Sequence, residues 1–367
     1  MINFRELGRI SEVPKIPPGE TLLIAEPIFH QPQDDTFPYI TTFQIPKGQE
    51  GWAFAAYESG LTEESVADKL RQEYADIASA LIDHNIPFRF IRAHKEEIDE
   101  ELCFKLMFRF GVSGVNLHHL ISSTCFPRDM LVHLDTITFV NPDANFFLPE
   151  LRSRMSYLGE GGAVLRVNSK LFFSDPRGCD LKKHKKHSEH IKQLPARFNV
   201  GLLPFPCGVE INMLTGYSEE FLNHHVDRTA AFIKGRDGKD YLLVEPVYIS
   251  ENQQPWGSYA KFIQDQCTKL GVELVVIERA PDDTPYSLNL VQFYDGTVMM
   301  TAGHESLEKI IRQIVGDNRV ITTQRPLVYY PVIRRGGWRC MSVFAPEGIA
   351  KPNSAFDALV RQMGLRK

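Results

Sequence analysis

Residues 334–342 read Arg-Arg-Gly-Gly-Trp-Arg-Cys-Met-Ser, and the rest of the sequence is best interpreted around them. They follow a β-rich run at 327–333 and present Cys340 shortly after the pair Gly336-Gly337. Glycine permits backbone conformations that other residues avoid and lets a ligand approach closely. Nearby arginines favour the thiolate form of a cysteine, which is the nucleophilic form. Cys340 is therefore a candidate nucleophile if partner residues occur elsewhere in the chain.

The composition is that of an ordinary globular protein, with 367 residues, 43% hydrophobic and 24% charged. This length predicts two domains or one repeated architecture. The net charge of −5 argues against broad nucleic-acid binding, which requires a basic surface. No apolar run is long enough to span a bilayer, and residues 1–6 lack the start of a signal peptide. We therefore expect neither a nucleic-acid nor a membrane partner.

The cysteines are scattered and form no CxxC pair. There are six of them, Cys103, Cys125, Cys179, Cys207, Cys267 and Cys340. This spacing favours reduced thiols over a disulfide framework or a zinc site, and it predicts a cytoplasmic location. Apart from Cys340, we expect these residues to serve packing.

Changes of hydrophobic period predict strands and helices in a repeated order. Residues 1–20, rich in Pro and Gly, are expected to form an extended lead-in. The predicted strands lie at 21–25, 37–45, 51–57, 88–91, 130–140, 199–203, 272–277, 287–293, 297–301 and 319–322, with hairpins at 163–173 and 228–246. The predicted helices lie at 63–84, 181–193, 258–270 and 306–315.

A ββαβ-like unit thus recurs about four or five times, which favours modules arranged around an axis. A doubly wound sheet is the rival architecture, but no GxGxxG follows an early strand. We therefore predict a single α/β domain over residues 1–367.

Four short elements at predicted strand-to-loop edges carry an acid, a base or a nucleophile. They are Arg128-Asp129, Glu160-Gly161-Gly162, His225-Val226-Asp227 and the segment ending in Cys340. Singly they are weak signals, because a His-x-Asp occurs often by chance and a Glu-Gly-Gly is common in turns. In this order and spacing, they are much more specific.

From about Phe126 to Ala345 the chain resembles the pentein superfamily of guanidine-modifying enzymes. These include arginine deiminases, agmatine deiminases, dimethylarginine hydrolases and amidinotransferases. Residues 225–232, and residues 286–289 leading into 295–298, are also similar to segments of these families. The resemblance implies a five-bladed αβ propeller of ββαβ modules around a central active site, in agreement with the repeated order of elements.

The resemblance also implies a role for each candidate residue. Asp129 and Asp227 would bind the edges of a guanidinium by charge-assisted hydrogen bonds. Cys340 would attack its carbon and form a covalent thiouronium. His225 would protonate the departing amine and activate water, with Glu160 orienting it. No metal or other cofactor takes part.

The sequence departs from the family pattern at some positions. Ala163 follows Glu-Gly-Gly, where arginine deiminases commonly carry aspartate, and this is nearer to agmatine deiminases. Trp338 and Arg339 precede the nucleophile, where the well-known subfamilies carry smaller or neutral residues. Three roles remain open for Arg334, Arg335 and Arg339. They bind a substrate carboxylate, favour the thiolate form of Cys340, or face solvent. These differences bear on the substrate more than on the reaction.

Segment 182–190, Lys-Lys-His-Lys-Lys-His-Ser-Glu-His, places three histidines at three-residue steps. Such a face can bind a metal, but the four lysines around it repel cations. A solvated helix face is the favoured interpretation, and a docking surface for an acidic partner is the alternative.

The favoured function is a cysteine-dependent hydrolase, or deiminase, of a small guanidino compound such as arginine or a derivative. Peptidyl arginine presents the same group and is an alternative substrate. An amidinotransferase would use the same residues. A non-catalytic pentein used for binding is the third hypothesis, and the joint presence of Cys340, His225, Asp129 and Asp227 argues against it. The sequence leaves the oligomeric state open.

Overall fold

The structure is a computed structural model that describes part of the chain. The described residues are 13–25, 42–46, 63–91, 131–134, 137–140, 164–167, 170–175, 199–204, 207–212, 218–222, 227, 230–245, 259–278, 287–327 and 337–347.

The described segments form strands, three α-helices and one 3₁₀ turn. The strands are β1 (Glu20–Ala25), β2 (Thr42–Pro46), β3 (Phe88–Ile91), β4 (Leu131–Leu134), β5 (Ile137–Val140), β6 (Val164–Val167), β7 (Lys170–Asp175), β8 (Asn199–Pro204), β9 (Cys207–Asn212), β10 (Ser218–Leu222), β11 (Ala230–Lys234), β12 (Asp240–Val244), β13 (Val272–Val276), β14 (Val291–Gln292), β15 (Val298–Met300), β16 (Val320–Thr322) and β17 (Ser342–Pro346). The helices are α1 (Glu63–Asp83), α2 (Tyr259–Leu270) and α3 (Glu305–Val315), and a 3₁₀ turn follows α3 at Asp317–Arg319.

Four of the sheets share one pattern, an antiparallel pair extended by a parallel third strand. They are β6–β7–β8, β11–β12–β13, β14–β15–β16 and β17–β1–β3. In the last three, a helix connects the two parallel strands: α2, α3 and α1 respectively. A parallel pair requires such a crossover connection. The predicted ββαβ unit is therefore confirmed in β11–β13 and β14–β16, and β17–β1–β3 repeats its pattern with strands from both ends of the chain.

The remaining sheets are β4–β5 and the antiparallel β2–β9–β10. The sheets that the described residues form are small and open, and no closed five-bladed propeller is visible among them. What the structure shows is a mixed α/β fold of repeated three-stranded units.

The hydrophobic core lies between the helices and the sheets. Met299 on one face of β15 joins a cluster with Ile77 and Leu81 of α1. Val298 and Met300, on the opposite face, join a cluster with α3. Successive residues of a strand point to opposite faces, so the β14–β16 sheet packs α1 on one side and α3 on the other.

Helix α3 illustrates how the sequence sets this packing. Leu307, Ile311 and Val315 recur every four residues and are the buried face of the helix. At its start, the ring of His304 accepts a hydrogen bond from the backbone N–H of Leu307 at 3.2 Å, which caps the first turn. Gly316 ends the helix with a φ of 101°.

Helix α1 ends at the predicted place. Asn85 takes a φ of 53°, and the N–H of Ile86 donates to the carbonyl of Leu81 at 2.8 Å. This left-handed residue with a backward hydrogen bond is a common helix ending.

Some of the predicted elements need correction or lie outside the described residues. The single strand predicted at 130–140 is instead the hairpin β4–β5, and Asp135, a turn-favouring residue type, lies between the two strands in sequence. Of the strand predicted at 287–293, only Val291–Gln292 is a strand. Strands β9, β10 and β17 were not predicted. The strand at 51–57 and the basic helix at 181–193 fall outside the described residues.

Candidate active site

Three segments that are far apart in the sequence lie close together around Cys340. Cys340 lies in the turn 337–341 before β17, Asp227 lies just before β11, and Asn289 lies in the segment 287–290 that leads into β14. All three residues are almost completely buried, with exposed fractions of 2%, 0% and 2% respectively. The sequence separations of Cys340 from Asp227 and Asn289 are 113 and 51 residues. Tertiary packing alone therefore brings these polar groups together.

The turn that carries Cys340 is closed by its own hydrogen bonds. The N–H of Met341 donates to the carbonyl of Gly337 at 3.2 Å. The hydroxyl of Ser342 donates to the carbonyl of Trp338 at 2.8 Å. Trp338 itself is 2% exposed and belongs to the same core cluster as Leu22. The indole thus anchors the turn in the core two residues before the cysteine.

The side-chain amide of Asn289 makes three hydrogen bonds around this turn. Its Oδ1 accepts from the backbone N–H of Cys340 at 3.0 Å. Its Nδ2 donates to Sγ of Cys340 at 3.1 Å and to the backbone carbonyl of Asp227 at 2.8 Å. The main chain adds a fourth bond, from the N–H of Arg339 to the carbonyl of Asn289 at 3.2 Å. Asn289 therefore joins the two segments that carry Asp227 and Cys340.

Gly337 has a packing reason to be glycine. A Cβ placed on it would lie 2.8 Å from Cβ, 2.9 Å from Oδ1 and 3.1 Å from Cγ of Asn289. Its backbone does not take a left-handed φ. A left-handed conformation is therefore not the reason for glycine at position 337, which provides space for the Asn289 amide.

The carboxylate of Asp227 faces the sulfur directly. Sγ of Cys340 lies 3.8 Å from Oδ1 and 3.8 Å from Oδ2 of Asp227. A negative charge at this distance in a buried site disfavours the thiolate, because two like charges would have to coexist. A cation bound at the carboxylate would reverse that effect. The arrangement suits a positively charged ligand that reacts with the sulfur.

The structure brings two of the five predicted site residues together, Asp227 and Cys340. The other three, Asp129, Glu160 and His225, lie outside the described residues, as do Arg334 and Arg335. Arg339 is described and is partly buried.

Asn289 was not predicted as a site residue. The sequence does contain a signal for it, because the amide stands between Leu288 and Leu290, and both leucines are buried. A polar residue buried within an apolar run needs hydrogen-bond partners, and these partners turned out to be Cys340 and Asp227.

No helix among the described segments has both the length and the apolar character needed to cross a membrane. Within the same segments, no group of three or more His, Cys, Asp or Glu side chains is arranged to hold a metal ion. The histidine-rich segment 182–190 falls outside them.

No protein-family model and no curated protein sequence matches this chain. Several solved structures are similar to it. A cysteine-to-serine variant of C. jejuni agmatine deiminase with substrate bound matches with a TM-score of 0.50 and 12% identity, over 92% of this chain and 96% of that one. An amidinotransferase from Microseira wollei matches with a TM-score of 0.48 and 11% identity, over 88% and 93%. DDAH from Pseudomonas aeruginosa, complexed with citrulline, matches with a TM-score of 0.38 and 12% identity, over 61% and 76%.

These solved proteins are members of the pentein superfamily. The similarity to agmatine deiminase shows that this chain has a pentein-type mixed α/β fold. The resemblance recognised in the sequence is thereby confirmed at the level of the fold.

Proposed function

We propose that this protein is a cysteine-dependent hydrolase of a small guanidino compound, such as arginine or an arginine derivative. We further propose that its repeated units form a five-bladed propeller around the site. The observation that carries the proposal is the buried Asp227 carboxylate, with both oxygens 3.8 Å from Sγ of Cys340. This combination places a cation-binding group beside a potential nucleophile.

A guanidinium fits this pair because it is a planar cation with N–H groups on its edges. A substrate N–H···O bond to Asp227 has an N···O distance of about 2.9 Å, which brings the attached guanidinium carbon near the sulfur. Reacting atoms that start about 3–3.5 Å apart are well placed for attack. Asp129 is proposed to bind the opposite edge and to fix the orientation of the plane.

Substrate binding also changes the charge balance at the sulfur. In the free protein, the Asp227 carboxylate opposes ionisation of the thiol. A bound guanidinium neutralises that carboxylate and adds a positive charge beside Cys340. The thiolate is thus favoured when the substrate is in place, which limits unproductive reactions of the free thiol.

The proposed reaction splits one difficult step into two. The thiolate attacks the guanidinium carbon, the C–N bond to the leaving group breaks, and His225 supplies the proton that releases ammonia or an amine. His225 then takes a proton from water, which attacks the thiouronium carbon. Breaking the C–S bond releases the ureido product and regenerates Cys340. Glu160 is proposed to orient His225 throughout.

This chemistry requires a reduced thiol, so we propose a reducing compartment such as the cytoplasm. Cys340 and Cys267 are both free thiols. Burial raises the pKa of the Cys267 thiol to about 11. Cys267 therefore stays protonated and unreactive near neutral pH, and it serves as an internal comparison for Cys340.

The test is a mass-spectrometric panel of arginine, agmatine, methylarginines, guanidinoacetate and an arginine peptide, with and without amine acceptors. The wild-type protein is expected to convert one of them to a ureido product. The product gains about 1 Da where ammonia leaves and an imine is replaced by a carbonyl, whereas a methylarginine that loses its methylamine becomes lighter. Cys340→Ala is expected to be folded and inactive, whereas Cys267→Ala is expected to match the wild type.

Each alternative has its own signature in this panel. Retained turnover in Cys340→Ala would contradict the proposal. A new guanidino compound that forms only when an amine is added would identify an amidinotransferase. No conversion of any compound, together with an inert Cys340 thiol, would favour the binding scaffold.

A further inference from the structure

We propose that Asn289 is the residue that positions Cys340 for reaction, and that Gly337 is a glycine so that the Asn289 amide can reach it. This inference rests on the proposed function, since it assigns how the nucleophile of that site is held. Asn289 acts through Cys340 and is a positioning residue, not a group that touches the reacting carbon.

The first step of the argument is hydrogen-bond geometry. One buried amide contacts Cys340 twice, at its backbone N–H (3.0 Å) and at its sulfur (3.1 Å). These two contacts fix both the turn and the direction of the side chain that leaves it. Nδ2 of Asn289 also donates to the backbone carbonyl of Asp227 at 2.8 Å, so the segment that carries the Asp227 carboxylate is bonded to the same amide. The 3.8 Å spacing between the sulfur and the carboxylate is thus maintained by Asn289.

The second step concerns charge. The N–H that Asn289 donates to the sulfur favours the thiolate, because a hydrogen bond to the charged form stabilises it. The Asp227 carboxylate, facing the same sulfur, acts in the opposite direction. An aspartate at position 289 would keep the shape of the side chain but lose both donor contacts, and it would add a second carboxylate beside the thiol.

The third step is the close packing at Gly337. Any Cβ at this position would lie 2.8–3.1 Å from three side-chain atoms of Asn289. Contacts this short require a shift of the amide, the turn or both. An alanine at 337 is therefore expected to disturb the same hydrogen bonds as a change of Asn289 itself.

Gln292 provides a matched control. It lies three residues after Asn289 and is also a side-chain amide that bonds to the main chain. Its Nε2 donates to the carbonyl of Lys234 at 2.9 Å, and its Oε1 accepts from the N–H of Lys234 at 2.7 Å. Its hydrogen bonds are to Lys234 and Gly296, and not to Cys340. The changes Gln292→Ala and Gln292→Glu therefore reproduce the loss of an amide without touching the sulfur.

The experiment measures the rate of Cys340 alkylation by iodoacetamide across pH, by peptide mass spectrometry, in the wild type, Asn289→Ala, Asn289→Asp, Gly337→Ala and the two Gln292 variants. Asn289→Ala is expected to raise the pH midpoint by about one unit, which is about tenfold in rate near neutral pH. Asn289→Asp is expected to raise it further, and Gly337→Ala to follow Asn289→Ala. The Gln292 variants are expected to keep the wild-type profile.

Two outcomes would overturn the inference: a wild-type profile in Asn289→Asp, which would reduce the residue to a space-filling role, or an equal shift in the Gln292 variants. If Asn289→Ala fails to fold, the isosteric Asn289→Asp and the independent Gly337→Ala still decide the question. Alkylation needs no guanidino substrate. A shifted profile in a protein that converts no guanidino compound would therefore reject the proposed function while supporting the role of Asn289.

Discussion

At Cys340, the Asp227 carboxylate and the Asn289 amide act on the sulfur in opposite directions. The carboxylate lies 3.8 Å away and opposes the thiolate, while the amide donates at 3.1 Å and favours it. A thiol balanced in this way responds to any cation that binds Asp227. Under the proposed function, the charge of the substrate therefore becomes part of how the thiol is activated.

Asp227→Asn removes the opposing charge and keeps the size of the side chain. The pH midpoint of Cys340 alkylation is expected to fall by about one to two units, because the thiolate no longer faces a negative charge. Turnover of the guanidino substrate is expected to be lost at the same time, because the neutral amide cannot bind a cation as a carboxylate does. The pH profile of Cys340 alkylation measures the first effect, and an assay of product formation measures the second.

Asp237→Asn is the control for this change. Asp237 is exposed in the turn between β11 and β12, where it accepts from the N–H of Lys239 and the hydroxyl of Tyr241. The Asp237→Asn variant is expected to keep the wild-type alkylation profile and the wild-type turnover. A midpoint that rises or stays constant in Asp227→Asn would show that this carboxylate does not govern the thiol.

At the level of single elements, the turn 337–341 is stabilised by the core beneath it. Trp338 is the largest of the fully buried side chains in the described segments. It shares its cluster with Leu22 of β1, Ile77 of α1 and Met341. Burial of a large aromatic side chain contributes several kcal/mol to the free energy of unfolding. The departure from smaller residues at position 338 therefore has a structural reason.

Trp338→Ala is expected to lower the free energy of unfolding by about 3–5 kcal/mol, because it leaves a cavity under the turn. Urea unfolding measures this loss. Tyr294→Ala is the control, since Tyr294 is 61% exposed, and it is expected to cost less than about 0.5 kcal/mol. Similar losses in the two variants would mean that the indole is not a main anchor of the turn.

At the level of the whole molecule, the two ends of the described chain share one sheet. Strand β17 pairs antiparallel with β1, with Leu22 opposite Phe344 in register, and β1 pairs in parallel with β3. Residues 13–19, in the predicted lead-in, contribute Ile16 to the adjoining core. The strand that follows the Cys340 turn is thus held by the N-terminal segment.

A change in β1 is therefore expected to reach the C-terminal strand. Leu22→Ala removes a buried side chain, at a cost of about 2–5 kcal/mol, and is expected to reduce hydrogen-exchange protection of β17 as well as β1. The measurement is hydrogen exchange read by mass spectrometry. Ile263→Ala, in the separate core cluster around α2, is the control and is expected to affect β11–β13 more than β17. Unchanged protection of β17 in Leu22→Ala would contradict this coupling.

Local periodicity in the sequence was sufficient to predict much of the order of elements. The hydrophobic period predicted a helix at 306–315, where α3 buries Leu307, Ile311 and Val315, and it predicted that the first helix ends just before Asn85. Such patterns report on neighbours three or four residues apart. The candidates Cys340 and Asp227 came from the type and order of residues and from the resemblance to the pentein superfamily that this order carries.

The tertiary structure alone decided which groups touch. The Asn289 amide meets a sulfur 51 residues away, and that sulfur meets a carboxylate 113 residues away. No local pattern records such contacts, because they depend on how whole sheets pack against one another. The same holds for Gly337, whose missing side chain is explained only by the neighbour that fills its place. The sequence by itself thus determined the elements and the chemical groups, and packing determined the geometry in which those groups can react.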